Sequence, residues 1–200
     1  MNAEQVRHET GVLLIRHETE PEHTLHVSRL ACLLFDGLIP RHGLDEADRL
    51  LLECAAALHD IGWAVTQPDG KAHHKASARM IREYPWTSLE RDEVQLVAMV
   101  ARYHRKALPT LRHPDFVALP PETQSRVRWL AGFLRLADGL DRRHLQAVNT
   151  LEVRLIPDSV DILIFSDREV GTELVAGRKK ADLLETACQS SLRLIRIDAR

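Results

Sequence analysis

The chain has 200 residues, with 27 Lys plus Arg against 29 Asp plus Glu, 44% hydrophobic residues and 4% aromatic ones. That length can bury a core without disulfides. A formal charge of −2 gives no footprint for a nucleic-acid polymer, and so few aromatic residues make a poor base-stacking platform. Cys32, Cys54 and Cys188 are odd in number and widely spaced, which suits buried thiols in a reducing cytoplasm better than a disulfide or zinc framework. No apolar run is long enough to span a membrane, and Met1 to Glu20 carries charges throughout, unlike a signal peptide or an anchor.

In chain order, Met1 to Arg16 predicts a weak amphipathic helix. Glu20 to Leu38 predicts a strong one, with Leu30, Leu33 and Leu34 on its apolar side, ending near Gly37 to Pro40. Leu44 to Ile61 predicts a second strong helix, with Asp45 as its cap and Gly62 as its stop. A turn is expected over Gln67 to Gly70. Helices follow over Ala72 to Glu83 and over Ser88 to Tyr103, the latter with Ser88 as N-cap. Arg105 to Glu122 contains Pro109, Pro114, Pro120 and Pro121 and has no clear period, so it reads as a binding loop or lid. Thr123 to Arg142 predicts a helix. Beyond it Leu151, Val153 and Leu155 alternate with polar residues, as do Val160, Ile162 and Ile164 after a turn at Pro157 to Ser159, which predicts a hairpin. Glu173 to Ser190 predicts a helix, and Leu192, Leu194 and Ile195 a last short strand. The expected fold is mainly α: a helical bundle over residues 1–148, and a small hairpin-plus-helix subdomain over 149–200 packed on it.

The unusual number is 11 histidines. Ligand-type residues recur on the inward stripes of five helices. His26 shares a stripe with Leu30 and Leu33. His59 and Asp60 end the second helix. His74 shares a stripe with Ala78 and Ile81, which favours it over the adjacent His73. His104 follows Val94, Val97 and Ala101. Asp138 follows Val127, Ala131 and Leu134, and Asp141 lies one turn further on. His8, His17, His23, His42, His113 and His144 share no such stripe and read as surface residues. Burying such a set of imidazoles and carboxylates in one bundle is costly unless they satisfy one another or hold an ion. His26, His59, Asp60 and Asp138 offer two nitrogens and two oxygens, a set suited to Mn, Fe, Co, Mg or Zn. A bridging Asp60 would extend the site to a second ion on His74 and His104.

At this point the chain resembles the HD superfamily of metal-dependent phosphohydrolases, whose pattern of a His, a His-Asp pair and a distant Asp maps onto His26, His59-Asp60 and Asp138. The segments LHVSRLACLLFDGL, LLECAAALHDIG, HHKASARMI, VARYHRK and LAGFLRLADGLDRR, with RKKADLLE near the end, are similar to the C-terminal HD-type domain of the exopolyphosphatase and guanosine pentaphosphate phosphatase (Ppx/GppA) family. That family's phosphatase chemistry sits in an N-terminal actin-like pair of domains, which these 200 residues do not include, so polyphosphate hydrolysis is not carried over. The resemblance implies hydrolysis of a phosphoester or phosphoanhydride, with a phosphorylated small molecule, a nucleotide above all, as partner. Asp60 is expected in catalysis, with Lys75 and Asp141 beside it. Lys75, Arg105, Lys106 and Arg142 are expected to bind phosphate. The alternative is a non-catalytic, metal-stabilised module that binds a nucleotide or a partner protein. The hairpin edge offers a route to a homodimer.

Overall fold

A computed structural model describes residues 2–66 and 70–198. The turn expected at Gln67 to Gly70 therefore falls mostly outside the described residues. Helix α1 (Ala3–His17) starts on Asn2, whose side chain accepts from the amides of Glu4 and Gln5. Helix α2 (Pro21–His42) runs past the expected stop and ends on Gly43, in the left-handed region at φ +62°, whose N–H donates to the Ile39 carbonyl at 3.1 Å. Gly37 does not break this helix. It lets a strand approach: a Cβ there would stand 2.6 Å from the Val153 side chain. Pro40 lies in the last turn and forfeits only one intrahelical bond.

Helix α3 (Glu46–Ala57) is capped by Asp45, which accepts from the Asp48 amide at 2.9 Å. It ends earlier than expected, and a turn over 58–60 leads into a short 3-10 helix over Ile61–Val65. Helix α4 (His73–Glu83) follows. Helix α5 (Arg91–Arg102) is capped by a reciprocal Glu90–Glu93 box rather than by Ser88, whose hydroxyl instead donates to Glu9. The expected loop contains a one-turn helix, α6 (Pro114–Val117), and then α7 spans Pro121–Gly139.

Strands β1 (Thr150–Ile156) and β2 (Ser159–Ser166) form the expected antiparallel hairpin, with Val153 opposite Ile162. The following helix is two, α8 (Gly171–Lys180) and α9 (Asp182–Cys188), with a break at Ala181. They carry the chain across so that β3 (Ser191–Asp198) runs parallel to β2, giving the sheet order β1-β2-β3. The protein is thus mainly α with a small β appendage. Its buried apolar residues form one cluster reaching from Leu30, Leu34 and Phe35 through Ala98, Leu130 and Leu134 to Ile162, Ile164 and Leu184. Glycines at 139 and 177 let α7 and α8 touch backbone to backbone, which brings the end of α8 to the end of α7. No helix among the described residues is long and apolar enough to cross a membrane.

Candidate metal centre

A cavity of about 550 Å³ opens where α2 begins and where α3, α5, α7 and α8 end. His23, Asp60, His73, His104, Asp138 and Lys180 line its floor and walls, and Arg105, Lys106, Arg142, Glu18 and Glu20 line its lips. His59 lies behind, fully buried.

Local backbone aims the imidazoles. His59, His73 and His104 each sit three residues after a carbonyl near a helix or loop end. Their Nδ1 atoms meet Ala56 O at 2.7 Å, Gly70 O at 2.9 Å and Ala101 O at 2.7 Å. A carbonyl only accepts, so each Nδ1 carries a proton and Nε2 is the nitrogen left to face inward, presenting a lone pair in the neutral imidazole. His23 is held the same way by a carboxylate, its Nδ1 lying 2.8 Å from Asp141 Oδ2. Asp141 itself accepts from the Gln146 amide at 2.7 Å and is buried.

The lone pairs converge. Asp60 Oδ1 is 3.2 Å from His73 Nε2 and 3.5 Å from His104 Nε2, and those two nitrogens are 3.3 Å apart. His59 Nε2 is 3.6 Å from Asp60 Oδ2, and His23 Nε2 is 3.8 Å from Asp138 Oδ1. None of these contacts has a proton to share under the tautomers just assigned. The buried atoms His23 Nε2, His59 Nε2 and Asp60 Oδ1 accordingly lack hydrogen-bond partners. Burial pushes the His104 imidazole well below its ordinary value, keeping it neutral. Imidazole Nε2 atoms and carboxylate oxygens turned inward together make a donor set for a cation. The ligand atoms of His23, His59 and Asp138 can come within 4.8 Å of one another, as can those of His59, Asp60 and His104. The residues present therefore fit a divalent metal, with His59 common to both groups.

The structure revises which histidines face the cavity. His23, not His26, takes the place on α2. The buried stripe there runs His23, Val27, Leu30, Leu34 and Leu38, whereas Leu33, on the stripe expected for His26, is only partly buried. His26 contacts Arg29 at 3.3 Å outside the cavity. His73, not His74, faces Asp60. The inward stripe of α4 is His73, Ser77 and Ile81, disguised in sequence by the polar Ser77, which accepts from the Gly62 amide at 2.9 Å. Gly62 is required there, since a Cβ would collide with the His73 carbonyl and the Ser77 amide. His59, Asp60, His104 and Asp138 come together. Asp141 sits behind His23, away from the cavity. Arg105, Lys106 and Arg142 line it, but Lys75 faces a neighbouring cavity. His144, exposed as expected, also stacks on His23 at 3.7 Å between ring centroids.

Lys180 is the residue the helical stripes miss. It arrives from α8, and its ammonium contacts Asp138 directly. Burial works to raise the Asp138 carboxyl, but the Lys180 ammonium against it holds it below the usual range. Only the RKKADLLE segment hinted at it.

No curated protein matches this sequence. Residues 6–185 match the family model described as Ppx/GppA phosphatase, domain III. That match covers the helical bundle, the hairpin and most of the final helices, so the chain belongs to the Ppx/GppA phosphatase family through its domain III.

Proposed function

We propose that the chain is a metal-dependent phosphohydrolase of the HD type, cleaving a phosphoester or phosphoanhydride of a small phosphorylated molecule, with nucleotides as the first class to test. The observation that carries this reading is the set of unpartnered buried atoms on His23 and Asp60, which line the cavity, and on His59 directly behind it. His23, His59 and Asp138 would hold one divalent ion (Mn, Fe, Co, Mg or Zn), and Asp60, His73 and His104 would hold or share a second. Such an ion, when bound, supplies Lewis acidity and a water of lowered pKa. Asp141 keeps the His23 proton on Nδ1 and so keeps Nε2 available. Arg105, Lys106 and Arg142 bind and orient phosphate oxygens from the lips, and Lys180 adds a fourth cation from the floor. The Trp63 indole, stacked on His73 with centroids 4.4 Å apart, gives the cavity an apolar wall suited to a nucleoside. A cytoplasmic setting accords with the three free, buried thiols.

A second reading, a non-catalytic module that binds a nucleotide or a partner protein, draws on the Lys180–Asp138 contact, which already neutralises one ligand carboxylate without an ion. Purified protein with manganese, tested on nucleotides and para-nitrophenyl phosphoesters, separates the two. Turnover that vanishes in Asp60→Ala supports the hydrolase. Tight metal binding by elemental analysis with no turnover on any substrate supports the module.

A further inference from the structure

Next to the metal cavity lies a second one, of about 400 Å³, lined by His74, Lys75, Arg102, Arg105, Lys106 and His113 among others. None of its lining residues is acidic. Several arginines elsewhere take carboxylates: Arg7 with Glu53, Arg49 with Asp36, Arg126 with Asp48, Arg143 with Glu173 and Arg193 with Asp161. Lys75, Arg102, Arg105 and Lys106 have no ion-pair partner among the described residues, although they crowd one hollow where their charges repel. Two buried polar atoms in these walls, His74 Nδ1 and Arg102 Nε, also lack a hydrogen-bond partner. A cavity of cations with orphaned polar atoms and no carboxylate is complementary to a multiply charged oxyanion.

Arg105 and Lys106 line both cavities. An anion seated in the second therefore shares two cations with one seated at the metal centre. We infer that the second cavity is a phosphate subsite, taking a further phosphate of a ligand that carries at least two, while another phosphate lies at the metal centre. The coupling to hydrolysis rests on the function proposed above, but anion binding in this cavity does not. It also gives His74 and Lys75 a place: they flank the metal centre without entering it.

The test uses the full chain stripped of metal with chelator and titrated with tripolyphosphate by calorimetry. Wild type should bind, and Lys75→Glu should weaken binding about tenfold or more, the loss of a charge-assisted contact plus a new repulsion. Arg79→Glu, an equal charge change on the same helix but outside the cavity lining, should weaken it less than about twofold, as a charge not in contact with the anion is screened. Three results would overturn the inference: no binding to wild type, equal weakening by both variants, or binding lost in Arg142→Glu while Lys75→Glu retains it. The last would put the anion in the metal cavity alone. Absence of turnover with manganese leaves this result standing, and failure of tripolyphosphate binding leaves any observed turnover standing, so the two readings fail separately.

Discussion

Glu9 and Asp60 are both 9% exposed, yet their surroundings are opposite. Glu9, on α1, is met by donors only. The Thr87 amide and hydroxyl approach at 3.1 and 2.6 Å, and those of Ser88 at 3.2 and 2.5 Å. Burial works to raise its carboxyl, and these bonds outweigh burial and lower it. Asp60 is met at 3.2 and 3.5 Å by nitrogens whose protons are engaged elsewhere. One carboxylate is spent on tying α1 to the segment before α5. The other is left facing lone pairs, an arrangement that favours binding a cation over holding the fold together.

The largest effect should come from Asp60→Ala. Metal retention is lost and turnover falls by about 10³-fold or more, the several kcal/mol expected of a Lewis acid. The chelated protein should unfold in urea no more easily than chelated wild type, because the deleted charge had no donor. A metal-free Asp60→Ala protein that is clearly less stable would break the contrast with Glu9. Asp141→Asn comes next. It removes the carboxylate that fixes His23, and metal affinity should fall about 10–100-fold with the fold intact, read by competition with a metal-sensitive dye.

Glu9→Gln should destabilise the protein by about 1–2 kcal/mol at pH 7, whether or not metal is present. The folded carboxyl titrates below its ordinary value of 4.5, so its contribution is complete above that pH and is lost as pH falls through the folded value. Denaturation curves of the two proteins should therefore converge once the pH falls below the folded value. A gap that persists in acid would mean that the hydroxyl packing, not the charge, matters. The smallest effect sits beside the second cavity. Ala72 is held at φ +69°, and Ala72→Gly should raise stability by about 1 kcal/mol in thermal unfolding, since glycine takes that conformation without the Cβ clash.

Much of the fold was legible because one face of each element is buried. Periodicity placed α2, α3, α5, α7 and the hairpin, and the Asp45 cap was visible in the residue types. Where the expectations slipped, the residues carried two meanings. Gly37 reads as a breaker until Val153 is seen resting on it. The Ala181 break that divides the last helix has no composition signal. Ser88 reads as a cap until Glu9 is found to use it.

The sequence alone determined that imidazoles and carboxylates would share the interior of a bundle, and that His59-Asp60, His104 and Asp138 belonged to that set, because the cost of burying them singly is a property of residue type. Tertiary structure decided which neighbour of each adjacent choice faces inward. A step of one residue on a helix turns a side chain by about 100°, so His23 against His26, and His73 against His74, depend on how α2 and α4 are seated. Lys180 could be placed only once Gly139 and Gly177 had let α8 lie against α7. The gathering of His74, Lys75, Arg102, Arg105 and Lys106 around a hollow without a carboxylate was likewise a matter of packing, since in the chain those cations look like ordinary surface charge.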